Sequence, residues 1–168
     1  MPLSRSSLLV LLALSACSTR SAGISAAPSP PPCPLTNVDE TFDSLDAMPA
    51  EIGKDLVSRF SDVTVLTGGT GIARRDEFYY VGDVKFASLS GPDRRFVQGA
   101  RRGQRFVLLY EHGGVGHHDH VVVYERGTDV PLHAAVNATA NPRERCDIAQ
   151  RALDDPADRS LRSDRRDW

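Results

Sequence analysis

Residues 105–125 leave this chain the least freedom of fold. Arg105 to Glu111 and His118 to Glu125 are two runs dense in valine, leucine and aromatic residues. His112-Gly-Gly-Val-Gly-His117 joins them, and its three glycines permit the positive φ that a reversal of direction needs. The pattern predicts a β-hairpin. Residues 63–66, 78–81, 84–89 and 95–98 are further short candidate strands, separated by Gly-Asp and Gly-Pro-Asp turns. Residues 131–137 form another, after the turn at Gly127.

Two helices are expected beside this sheet. In residues 48–60, Pro49 suits the first turn, and Ile52, Leu56, Val57 and Phe60 make one apolar stripe interrupted by Gly53. At Asn141-Pro-Arg-Glu144, Asn141 caps, Pro142 takes the first helical position and Glu144 reaches back. Cys146, Ala149 and Leu153 then share a face. With 168 residues, 40% of them hydrophobic and 25% charged, one domain is expected. The fold class is α+β: a single small domain, residues 35–153, with an antiparallel sheet and flanking helices.

The two ends differ from this body. Residues 1–7 carry one positive charge, at Arg5, and residues 8–14 are wholly apolar. That is the form of an export signal, and it is too short to span a bilayer, which takes about 20 apolar residues. Leu14-Ser15-Ala16-Cys17 follows directly and resembles the lipobox of bacterial lipoproteins. The resemblance covers residues 1–17. It implies that residues 1–16 are a cleaved signal peptide, that Cys17 is joined to a diacylglycerol, and that its amine is acylated. Ser18, where an aspartate would retain such a protein at the inner membrane, favours the outer membrane. The resemblance thus predicts a chain anchored by lipid and facing the periplasm or the exterior.

Residues 17–34 are small residues and five prolines, predicted to be a flexible and then polyproline-like tether. Residues 154–168 alternate acids and arginines and are expected to be a disordered tail. With Cys17 assigned to lipid, Cys33 and Cys146 remain as an even pair in an oxidising compartment, and a disulfide is expected. No CxxC motif is present.

Three groups of residues could carry function. His112, His117, His118 and His120 crowd one end of the hairpin. Strand alternation projects His118 and His120 together and turns Asp119 away, with His112 at the foot of the opposing strand. Two or three imidazoles on one face could bind zinc or copper. The same segment also reads as a solvent-exposed hairpin tip. Arg94, Arg95, Arg101, Arg102 and Arg105 could grip carboxylates, phosphates or anionic glycans, or simply form a solvated face. Tyr110 and Tyr124 are placed to pair across the hairpin. Ser88, Ser90 and Asp119 are available to a hydrolase, but no nucleophile elbow is present. The net charge of −2 gives no drive toward nucleic acid. The leading expectation is a non-catalytic, cofactor-free binding module for an envelope protein or surface polymer. A periplasmic metal-binding protein is the alternative, and a small hydrolase the third.

Overall fold

The computed structural model describes residues 28–60, 71–81, 92–114 and 116–161. Among the described residues the order is β1 (Glu40–Phe42), α1 (Ala50–Arg59), β2 (Arg94–Arg102), β3 (Arg105–His112), β4 (His118–Glu125), β5 (His133–Ala140) and α2 (Arg145–Asp154), with 3-10 turns at Leu45–Ala47 and Arg159–Leu161. The strands form one antiparallel sheet in the order β1-β2-β3-β4-β5. The architecture is α+β. No helix among the described residues is long and apolar enough to cross a membrane.

Alternation along the central strands gives the sheet two apolar faces. Phe106, Leu108 and Tyr110 of β3 and Val122 and Tyr124 of β4 pack against Ile52 and Leu56 of α1, with Phe42, Met48 and Phe60. Val107, Leu109, Val121 and Val123 point the other way, onto Ala149, Ala152 and Leu153 of α2. Both faces of β3 and β4 are covered, so these strands read as continuous apolar runs. Ile52 and Leu56 of α1, with Phe60 just past its end, form one buried edge, while Val57 is 38% exposed and falls off the stripe. In β2 the register slips between Phe96 and Gln98. This bulge turns Val97 into the α2-side core and brings Gln98 to Cys33.

Asn141 caps as expected: its Oδ1 accepts the backbone N–H groups of Arg143 and Glu144, and its Nδ2 donates to Glu144. Cys33 and Cys146 are bonded, with Cα atoms 5.2 Å apart.

Several expectations need correction. The proline-rich segment is not all tether. A proline nitrogen has no hydrogen, so such a segment offers the fold mainly carbonyl acceptors. Arginine donors meet them here: Arg95 reaches Pro28 O at 3.2 Å, Arg75 reaches Pro30 O at 3.1 Å and Arg145 reaches Pro31 O at 3.0 Å. Cys33 exchanges two hydrogen bonds with the Gln98 side chain. At the other end the fold continues past residue 153, and Leu161 is buried in the α2-side core. Residues 78–81 are not a strand. They run irregularly, with Tyr80 N–H bonded to Pro92 O. Strand β1 was not anticipated. The candidate strands at 63–66 and 84–89, and the export signal with Cys17, lie outside the described residues.

Candidate metal centre

Strand register builds the site. β3 and β4 pair without a slip, so His112 faces His118 and Tyr110 faces His120. Residues 112, 118 and 120 therefore share the α1 side of the sheet, at the end where the hairpin turns. One ligand atom from each of the three imidazoles lies within 4.8 Å of the others. The ring centroids are 5.0 Å apart for His112 and His118, 5.5 Å for His112 and His120, and 4.8 Å for His118 and His120. His120 is fully buried, and His112 and His118 are half-buried.

Hydrogen bonds fix two of the rings. Gly116 adopts φ +75°, and its carbonyl lies 2.6 Å from His118 Nδ1. A carbonyl only accepts, so His118 Nδ1 carries the proton. His120 Nδ1 lies 3.1 Å from Asn137 Oδ1 and donates to it. The neutral His120 ring then presents an Nε2 lone pair, and His118 Nε2 faces it 3.0 Å away. A proton on His118 Nε2, or a metal ion between the two nitrogens, satisfies this contact. Two nitrogens bound tetrahedrally to zinc at 2.0–2.1 Å stand about 3.3 Å apart, close to this separation. Burial, first, and the neighbouring histidines push the His120 pKa down to about 4, so this ring is a neutral donor at neutral pH.

The surroundings are aromatic and basic. The Tyr110 ring stacks on His120 with centroids 4.8 Å apart, and Phe60 meets Tyr110 edge-on. Arg94, the register partner of His112, lies over the Phe60 ring at 4.0 Å and donates from Nη1 to Asp93. Burial raises the Tyr110 hydroxyl pKa, and Arg94 opposes that rise. Among the described residues neither Arg94 Nε nor the Tyr110 hydroxyl, both buried, has a hydrogen-bond acceptor; the Arg94 guanidinium beside the hydroxyl is itself a donor.

The other face of the same hairpin end holds a separate ionic cluster. Glu111 and Asp119 are cross-strand partners, and each has an arginine: Arg95 stands 2.7 Å from Glu111, and Arg145 stands 3.5 Å from Asp119. All four are buried. Burial raises the Asp119 pKa, and Arg145 opposes the rise. His117 belongs to this face. Its Nε2 lies 3.1 Å from the Tyr79 hydroxyl and 3.4 Å from Glu111, so it does not join the other three histidines.

The remaining candidates are scattered. Arg94 and Arg95 are buried, so they offer no surface to a large partner. Arg101, Arg102 and Arg105 sit at the opposite end of the sheet, partly exposed, and pair with Glu40, Asp154 and Glu125 respectively. Asp119 is separated from His118 and His120 by the sheet, and Ser88 and Ser90 lie outside the described residues. Tyr110 and Tyr124 do not pair: register sets Tyr110 against His120 and Tyr124 against Phe106. Sequence reasoning missed Asn137, the partner of His120. The one signal in the sequence was a lone amide between Val136 and Ala138 in a run of small and apolar residues.

Three imidazole nitrogens on paired strands, with no thiolate and no carboxylate among them, suit borderline divalent ions such as zinc and copper. No family model matches this chain, and no curated protein and no solved structure matches it.

Proposed function

We propose that this chain is a lipid-tethered envelope protein whose domain binds one divalent transition-metal ion, zinc or copper, through His112, His118 and His120. The observation that carries this reading is the convergence of three imidazole nitrogens, with His118 and His120 Nε2 3.0 Å apart and the Nδ1 of each of these two rings already hydrogen-bonded. Gly116 O and Asn137 act as the outer partners that set imidazole orientation in metal sites. Placement on two paired strands supports the reading further, because such elements hold ligands more rigidly than a loop. The tether rests on the lipobox at Cys17, and the Cys33–Cys146 bond is compatible with export.

The arginine-surface reading, a module for an envelope protein or anionic glycan, has less support. Arg101, Arg102 and Arg105 already carry carboxylate partners.

Elemental analysis of the purified chain, followed by competition titration with zinc and copper, tests the proposal. One equivalent per chain is expected. His112→Ala and His118→Ala, both at half-buried positions, should each weaken binding by about 100-fold or more, since a whole ligand is lost. Substoichiometric metal in the wild type, or unchanged affinity in both variants, would sink the reading.

A further inference from the structure

The metal-binding reading leaves two groups beside the histidines unexplained. Arg94 Nε and the Tyr110 hydroxyl are buried donors without an acceptor among the described residues. Burying such a group unpaired is costly, so proteins seldom leave two together without a use for them. Both residues belong to the same corner. Tyr110 stacks on His120 and Arg94 is the register partner of His112. Asp93 occupies Arg94 Nη1 and leaves Nε over.

Charge leads in the same direction. Three neutral imidazoles cancel none of a dication's charge, and they leave at least one position of a four-coordinate ion for a further ligand. A guanidinium alongside makes an anion the favoured ligand there. A lone hydroxide or halide has one atom to share between the metal and both donors. A carboxylate-type oxyanion can put one oxygen on the metal and turn a second oxygen toward donors.

We propose that the metal held by His112, His118 and His120 takes a small carboxylate-type anion, of the bicarbonate or acetate class, as its further ligand, and that Arg94 and Tyr110 grip that anion. This rests on the metal reading above. The site then recognises a metal–anion pair rather than a bare ion, and Arg94 and Tyr110 are specificity-determining residues that bind no metal themselves.

The test uses the full chain loaded with cobalt(II), whose visible spectrum reports its coordination shell. Bicarbonate and acetate are titrated in at constant ionic strength, with chloride as the control. A saturable spectral change is expected with the two oxyanions and not with chloride. Tyr110→Phe keeps the stacked ring and removes only the hydroxyl. It and Arg94→Gln should each weaken anion binding by about tenfold, the size of one lost charge-assisted or buried hydrogen bond, while cobalt affinity in anion-free buffer stays within about twofold. A cobalt spectrum indifferent to both oxyanions overturns the inference and leaves metal binding standing. So does equal anion affinity in the wild type and Tyr110→Phe, which remains informative even if Arg94→Gln fails to fold. A chain that takes up no cobalt defeats the metal reading, and the anion site with it.

Discussion

Acidifying the metal-free protein should unfold it by a route traceable to one imidazole. His120 is fully buried, and its pKa is pushed from 6.5 down to about 4, chiefly by desolvation. The groups around it are His112, His118 and Arg94, which disfavour its cation, and Asn137, whose oxygen favours it. A histidine whose folded pKa lies below its unfolded value costs nothing above pH 6.5, where both states are neutral. As the pH falls below 6.5 the unfolded chain takes up a proton that the folded chain refuses, so stability drops until pH nears 4. A gap of roughly 2.5 pH units, at about 1.4 kcal/mol each, corresponds to a loss of about 3 kcal/mol across that window. Urea unfolding of chelator-treated protein, stepped from pH 7.5 to pH 4, measures it. His120→Asn supplies the comparison, because the asparagine amide can still donate toward Asn137 but does not titrate. The wild type should lose about 3 kcal/mol more than the variant over this range, with other titrating groups cancelling between them. Parallel curves would refute the reasoning, since they would mean that the buried ring is charged in the folded state or that water reaches it.

Two further outcomes are expected. The Cys33–Cys146 bond spans 113 residues, for which loop-closure entropy gives about 4.8 kcal/mol. The Cys33→Ser, Cys146→Ser double variant should therefore lose about 2–5 kcal/mol in urea unfolding, and a loss below about 1 kcal/mol would show that the strap and α2 are held by their other contacts. Two glycines should respond in opposite directions. A Cβ on Gly113 would meet the Tyr80 carbonyl oxygen at 2.0 Å, whereas one on Gly53 meets nothing within 4 Å. Gly113→Ala should cost about 3 kcal/mol, while Gly53→Ala, in the middle of α1, should gain about 0.5–1 kcal/mol, both read from thermal melts.

Much of the hairpin and its histidines is legible in the sequence because both depend on local rules. Alternation with period two separates His118 and His120 from Asp119, and the glycines of residues 113–116 mark where the chain turns. The cap of α2 is legible for the same reason: Asn141, Pro142 and Glu144 act on their immediate neighbours. What stays hidden depends on register or on distant pairing. Arg94 and Arg95 look like surface residues until β2 is set beside β3, which gives Arg95 a buried carboxylate at Glu111. His117 looks equivalent to His118. Only the fold shows that one turns toward Tyr79 and the other toward His120. The bulge at Val97 and Gln98 and the docking of Pro28, Pro30 and Pro31 onto Arg95, Arg75 and Arg145 leave no local mark at all.

The covalent link at Cys33 also decides how the molecule bears load. β1 is an edge strand of three residues whose ladder bonds go to β2. A pull on the N-terminal end, carried along an uninterrupted chain, would reach β1 first and peel it away one bond at a time. With Cys33 bonded to Cys146, tension leaves the main chain seven residues ahead of β1 and enters α2, which lies across β3, β4 and β5. The force is then spread over the broad side of the sheet and resisted by many contacts sliding together. The body can be held by its leading end without that hold becoming the place where it starts to come apart.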